Sequence, residues 1–296
     1  MEVGGRFGDA LTVRTVAVLG AGLMGRGIAY VAALGGYATR LHDPARAALE
    51  KASGEIDALL ERGVATGKVS DADAVAARNH LSIAGSLADA AGDADLVIEA
   101  VPEDIALKIA TFAELDRLAP KHAILASNTS SLSITEMAAA TARAPQVVGL
   151  HFFNPVHRMR LLEIVRALET SPATIAACEA AGARMGKECV VVRESPGFVT
   201  SRINALIGNE AFHMLQEGVA SAEDIDRALR LGLNHPMGPF ELVDLVGLDT
   251  RLAILRYLHR TLGEKFRPCP LMEQYVVAGR LGRKSGRGVF EYPAKS

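Results

Sequence analysis

Two side chains in this 296-residue chain have the types and spacing that could let them share a proton. His151 closes the apolar run Val147–His151 and is followed by Phe152, Phe153 and Asn154. A histidine and an amide therefore stand just past a predicted buried strand, where open parallel sheets gather their ligands. Glu163 lies inside a second apolar run, Leu161–Val165, where a carboxylate is costly unless a partner satisfies it. A Glu163–His151 pair would orient the imidazole and stabilise its protonated form, giving a general base for removing a hydroxyl proton as hydride leaves carbon. Taken alone, a histidine beside two phenylalanines is as readily a packed structural residue, and His157 is more ambiguous still.

A hydride needs an acceptor, and the other end of the chain supplies a pattern for one. Gly20-Ala21-Gly22-Leu23-Met24-Gly25 sits where an apolar, β-branched run gives way to a helical one. Gly20 permits the tight turn, Gly22 lets backbone approach a pyrophosphate, and Gly25 lets the helix pack close to the strand. The N–H groups of Leu23 and Met24 and the helix dipole then face the phosphates. Such a pattern alone is weak evidence. Here Asp43 closes the second predicted strand about twenty residues further on, where a carboxylate accepts from the adenosine ribose hydroxyls. A carboxylate there would also repel the extra phosphate of NADP, so NAD is the expected cofactor, with Arg40 and Arg46 leaving an opening for the phosphorylated form.

Ser127-Asn128-Thr129-Ser130-Ser131 follows another predicted strand. Its hydroxyls could hold a substrate oxygen or the nicotinamide amide. Equally, Ser131 or Ser133 could cap the helix predicted at Ile134–Ala139, with Glu136 assisting.

The elements that must position these residues alternate. Strands are predicted at Thr15–Gly20, Ala38–His42, Asp95–Ala100, Ala123–Ser127 and Val147–His151, with helices at Leu23–Leu34, Pro44–Arg62, Glu103–Leu118 and Ile134–Ala139. Pro44 falls at a first-turn position. Leu161–Val165 and Glu188–Val192 add strands at the far edge, with Pro172–Met185 helical between them. The fold class expected is α/β, a Rossmann-type doubly wound, mainly parallel sheet. After Ser195-Pro196-Gly197 only helical patterns follow, at Phe198–Gln216, Ala222–Arg230, Phe240–Leu245 and Asp249–Leu262, with no convincing strand before the last few residues. This places a sheet domain at 1–193 and an all-helical domain at 194–296.

Composition narrows the function classes. With 32 basic against 34 acidic residues and a net charge of −2, no overall positive field draws nucleic acid or an anionic membrane. Cys178, Cys189 and Cys269 are scattered and odd in number, unlike a disulfide framework or a zinc site, so no metal is expected and a reduced cytoplasm is the simplest compartment. Met1–Thr12 carries Glu2 and Asp9 and lacks the apolar run of a secretory signal, and no uninterrupted apolar stretch reaches membrane-spanning length.

Together, GAGLMG, SNTSSL, GLHFFNPV, the Glu163 region, SPGFV, HPMGPFELVDLVGLDT and GRKSGRGVFEY resemble, in content and order and over nearly the whole chain, the L-3-hydroxyacyl-CoA dehydrogenase family, in particular its short bacterial 3-hydroxybutyryl-CoA type. The resemblance implies that His151 is the general base, Glu163 its orienting partner and Ser130 a donor to the substrate oxygen, with Asn154 beside the nicotinamide. It also implies that Glu103 and Lys108 approach the cofactor, that Lys284 reaches it from the C-terminal segment, and that the helical domain pairs with a second copy in a homodimer. Two departures stand out. Ser201 occupies the place of a family asparagine that positions the thioester carbonyl, where a shorter hydroxyl could act through water or suit a different acyl group. Leu59 and Thr66 stand near an expected serine and lysine of the acyl-CoA contacts; Arg62 and Lys68 are candidate replacements for phosphate binding, or else solvated surface charges. The HPMGPF segment reads as turn and packing chemistry rather than catalysis.

The expected activity is reversible oxidation of a (3S)-hydroxyacyl-CoA to the 3-oxoacyl-CoA with hydride passing to NAD. One alternative is the same chemistry on a hydroxyacyl group held by an acyl carrier protein in polyketide precursor supply; another, of a different class, is a dinucleotide-binding protein without turnover.

Overall fold

A computed structural model describes residues 11–293. The reading of Met1–Thr12 as lacking a secretory signal lies, but for Leu11 and Thr12, outside them. The chain divides into two compact units, 1–194 and 195–296.

In the first unit the elements are β1 (Thr15–Leu19), α1 (Leu23–Leu34), β2 (Ala38–His42), α2 (Arg46–Ala65), α3 (Asp71–His80), β3 (Leu81–Ile83), α4 (Leu87–Ala91), β4 (Leu96–Glu99), α5 (Ile105–Leu118), β5 (Ile124–Ser127), α6 (Ile134–Ala139), β6 (Val147–Phe152), β7 (Leu161–Arg166), α7 (Pro172–Arg184) and β8 (Glu188–Arg193). The strands form one sheet of order β3-β2-β1-β4-β5-β6-β7-β8. It is parallel from β3 to β6; β7 runs antiparallel to β6, and β8 parallel to β7. This is the expected Rossmann-type, mainly parallel sheet. Every residue of β4, β5 and β6 is buried, as strands covered on both faces must be, whereas β8 at the edge is largely exposed. Helix α1 packs so closely that a Cβ at Gly27 would lie 2.9 Å from Val156, just past the loop that carries Asn154.

Several local expectations need correction. Helix α2 begins at Arg46 after the N-cap Ala45, so Pro44 lies outside it rather than in its first turn, and the helix runs on to Ala65. Helix α5 begins at Ile105 because the Asp104 side chain accepts from Leu107 N, which leaves Glu103 in the preceding loop. The elements α3, β3 and α4 carry weak local signals: the two helices are short and Ala- and Asp-rich, marked only by the side-chain caps Ser70 and Ser86, and β3 is three residues long.

The second unit holds α8 (Thr200–Gln216), α9 (Ala222–Gly232), α10 (Pro239–Val246), α11 (Leu248–Leu262) and α12 (Pro270–Val277). The last was not anticipated. Phe212, Phe240, Leu248, Leu255, Phe266 and Met272 form its core; each large apolar side chain buried there contributes about 1.5–3 kcal/mol. Among the described residues no helix is long and apolar enough to cross a membrane.

Candidate active site

In the first unit the site is built at the carboxyl ends of β1, β4, β5 and β6. Antiparallel pairing places His151 of β6 directly opposite Glu163 of β7, so adjacent side chains on one face meet. His151 Nδ1 lies 2.7 Å from Glu163 Oε2, with Glu163 only 1% exposed. The Phe153 ring packs 4.3 Å from the imidazole, centroid to centroid. Gly149 admits the close neighbour strand, since a Cβ there would lie 2.7 Å from Val165. The peptide between Asn154 and Pro155 is cis, and Asn154 is exposed beyond it.

The capping part of the serine-loop expectation is met, while the hydroxyls ahead of the cap engage Glu103. Ser133 caps α6 by accepting from Glu136 N, so Ser133 and not Ser131 is the cap. Thr129 Oγ1 donates to Glu103 Oε1 at 2.6 Å, and the Ser130 amide donates to the same oxygen at 3.1 Å. The Ser130 hydroxyl lies 3.4 Å from it, a long contact. Asn128 Oδ1 accepts from Phe152 N at 3.0 Å, tying this loop to the end of the histidine strand. Lys108, expected beside the cofactor, is enclosed and 1% exposed, its ammonium 2.6 Å from Glu99 and 3.4 Å from Glu103. Glu99 and Asn128 were not singled out from the sequence, yet Glu99 carries the signal that marked Glu163: a carboxylate in an otherwise apolar strand.

The glycine turn fits a dinucleotide. Gly20 has φ +96°, and a Cβ at Gly25 would lie 1.7 Å from Gly20 O; neither position admits a side chain. A Cβ at Gly22 would meet nothing within 4 Å, so this side of the turn is open to a ligand. No side chain caps α1, which leaves its first amides to an anion. Asp43 accepts from Ala21 N and Ala45 N, each at 2.8 Å. A carboxylate has about four acceptor positions, so it retains capacity for ribose hydroxyls. Of the two arginines that could have favoured a 2′-phosphate, Arg40 is engaged by Asp93, while Arg46 makes only an exposed pair with Glu50 one helical turn on. The residues present therefore suit NAD.

Arg62 and Lys68 line a cavity of 1030 Å³ together with Arg158, Arg160, Arg184 and Lys187. His157 also lines it; burial first, then the charges of Arg158, Arg62, Lys187 and Lys68, hold its imidazole below the usual range. The cavity wall is thus a concentration of positive charge on a chain of near-zero net charge. Pro155, bonded to Asn154, forms part of the same wall.

Ser201 and Lys284 belong to the second unit. Ser201 is half-buried in the first turn of α8, and Lys284 is paired with Asp249 at 2.6 Å.

Residues 15–195 match the NAD-binding domain of 3-hydroxyacyl-CoA dehydrogenases and residues 197–292 their C-terminal domain. A probable 3-hydroxybutyryl-CoA dehydrogenase of Bacillus subtilis is 46% identical over 97% of this chain and all of its own length. The 3-hydroxybutyryl-CoA dehydrogenase of Bradyrhizobium diazoefficiens is 44% identical over 96% of this chain and 97% of its own. The crystal structure of (S)-3-hydroxybutyryl-CoA dehydrogenase from Ralstonia eutropha superposes with a TM-score of 0.92 at 43% identity, covering 96% of this chain and 100% of that one. With both domain models matched in order and a glycine turn shaped for the dinucleotide, the chain belongs to the 3-hydroxyacyl-CoA dehydrogenase family, a group of oxidoreductases, and NAD is its cofactor.

Proposed function

We propose that the chain interconverts a short (3S)-hydroxyacyl-CoA and the 3-oxoacyl-CoA, with His151 as general base. The observation that carries this is the His151–Glu163 pair at 2.7 Å, set at the carboxyl end of β6. With Nδ1 directed at Glu163, the imidazole takes the substrate hydroxyl proton at Nε2, and the carboxylate balances the charge that arrives. NAD, when bound, accepts the hydride that leaves the same carbon. The Ser130 hydroxyl exchanges its long contact with Glu103 for the substrate oxygen, and Asn154 stands beside the nicotinamide. Gly20, Gly22, Leu23, Met24 and Gly25 hold the pyrophosphate, Asp43 the adenosine ribose, and Glu103 and Lys108 shape the wall between them. The helical unit pairs with a second copy.

Ser201 meets the thioester carbonyl directly or through one water. The cationic cavity holding Arg62 and Lys68 supports free CoA as the carrier, since CoA brings a diphosphate and a 3′-phosphate where a carrier-linked phosphopantetheine arm has a single phosphodiester.

The test follows NADH formation with NAD and either (S)-3-hydroxybutyryl-CoA or the same acyl group on an acyl carrier protein. Turnover of the CoA ester, lost in His151→Ala, is the expected result. Turnover with the carrier-bound substrate alone would overturn the CoA assignment, and none with either would overturn the hydroxyacyl reading.

A further inference from the structure

The first unit contains a second buried carboxylate whose neighbours are all site residues or their supports. Glu99 is the last residue of β4, pairs in register with Ser127 at the end of β5, and is 0% exposed. Its Oε1 accepts from Lys108 Nζ at 2.6 Å and from Val101 N at 2.8 Å. Its Oε2 accepts from Ser127 Oγ at 2.6 Å.

Both arms lead to the same place. On one side, the Lys108 ammonium also lies 3.4 Å from Glu103 Oε2, while the other oxygen of Glu103 receives the Thr129 hydroxyl and the Ser130 amide. On the other side, Ser127 Oγ accepts from Thr129 N at 3.2 Å. The bonds close a ring from Glu99 through Lys108, Glu103, Thr129 and Ser127 back to Glu99, with Ser130 attached. The bond to Val101 N adds a third constraint. It fixes the turn after β4, and the adjoining Ala100 carbonyl runs so close to Gly20 that a Cβ there would lie 2.5 Å from it.

We propose that Glu99 is a positioning residue: by dividing Lys108 between two carboxylates and anchoring Ser127, it sets where Glu103 and the Ser130 hydroxyl stand. This rests on the reading above that Ser130 serves the substrate oxygen. Charge explains the mechanism. With Glu99 ionised, Lys108 is held mainly by Glu99, and Glu103 keeps its oxygens for Thr129 and Ser130. Without that charge, Lys108 turns wholly to Glu103 and draws it off the serine loop. A glutamine at 99 keeps the shape and can accept through one oxygen, but its amide nitrogen cannot accept from Ser127.

The test uses Glu99→Gln in two backgrounds, wild type and Ser130→Ala, with steady-state kinetics on (S)-3-hydroxybutyryl-CoA and amide hydrogen exchange on the same proteins. E99Q is expected to lower kcat about thirtyfold in wild type but less than about threefold once Ser130 is already gone, because a positioning effect vanishes with the residue positioned. Exchange of the amides at Thr129 and Ser130 should quicken about tenfold or more, with those of β6 unchanged. An equal loss of kcat in both backgrounds, or unchanged exchange, overturns the proposal. If E99Q does not fold, Ser127→Ala removes the second arm and carries the same kinetic comparison, with exchange read at the Ser130 amide alone, because Ser127 Oγ is itself the acceptor of the Thr129 amide. Absence of turnover in the wild type would count instead against the hydroxyacyl reading, and the exchange result would then decide the role of Glu99 alone.

Discussion

Both units bury carboxylates, and they use them differently. In the first unit Glu163 and Glu99 are met by side chains able to titrate or donate: an imidazole, an ammonium and a hydroxyl. In the second, Asp226 and Asp244 are met chiefly by backbone. Asp226, 3% exposed, accepts from Phe240 N and Glu241 N at the start of α10. Asp244, 1% exposed, accepts from Val289 N, Phe290 N and the Tyr292 hydroxyl. Burial pushes the Tyr292 phenol up to about 12, with the bond to Asp244 adding to it. Burial of a charge does not by itself mark chemistry; the kind of partner does. A carboxylate that holds amides fastens segments together, and one that holds an imidazole or ammonium tunes groups that can react.

The same contrast accounts for two of the chain's most distinctive motifs. Gly238 precedes α10 where a Cβ would lie 2.2 Å from the Asp226 carboxyl carbon, and a Cβ at Gly288 would lie 1.9 Å from Asp244 Oδ1. HPMGPFELVD and the terminal GRGVFEY are therefore arranged around two carboxylate clamps, in agreement with the expected packing role of HPMGPF.

The comparison is broken most severely at His151. His151→Ala should lower kcat by about 10³- to 10⁴-fold in protein that still folds, because the general base is lost, and should also lower the melting temperature, because Glu163 is left buried without its imidazole partner; an unchanged kcat in the folded variant would return this histidine to the structural role. Glu163→Gln should cost about 10- to 100-fold in kcat, since the imidazole keeps a hydrogen-bond partner but loses its counter-charge. Kinetics at saturating NAD would show this, and an unchanged kcat would separate Glu163 from the chemistry.

Asp244→Ala should act on the other side of the contrast. Leaving two amides and a hydroxyl without their acceptor should destabilise the protein by about 2–3 kcal/mol in urea unfolding. Turnover at saturating substrate should stay within about threefold, and a large loss of kcat in folded protein would erase the distinction drawn between the units.

The smallest effect concerns His157. Its imidazole is held below the ordinary value of 6.5, so as pH falls past 6.5 the unfolded chain protonates first and stability declines, until His157 charges in the folded state too. A bound polyanion offsets the surrounding cations and raises that value, so CoA binding near pH 6 should take up a fraction of a proton, seen as a dependence of calorimetric heat on buffer ionisation. His157→Gln should remove the uptake; persistence of the full uptake would place the responsible group elsewhere.

Why some of this could be read from residues alone and some could not is visible at particular positions. His151 and Glu163 were paired in prospect because each stood at odds with its apolar run, and antiparallel register then set them face to face. Glu99 stood at odds with its run in the same way, but its partners lie on three other segments, at 101, 108 and 127, and no local pattern joins them. Local propensity runs helix α5 back to Glu103; the Asp104 cap starts it at Ile105 and leaves Glu103 to the serine loop.

Short-range physics is legible in local residue order: the alternation that makes a parallel sheet, the glycines that admit no Cβ, and the carboxylate after the second strand. Which buried charges meet was set by the assembled fold. It gathered Arg62, Lys68, Arg158, Arg160, Arg184 and Lys187 from three stretches of chain around one cavity, and it closed Glu99, Lys108, Glu103, Thr129 and Ser127 into one ring. The reason is that hydrophobic periodicity and turn chemistry act over a few residues, whereas Coulomb and hydrogen-bond partners are chosen by distance in space, which exists only once the sheet has formed.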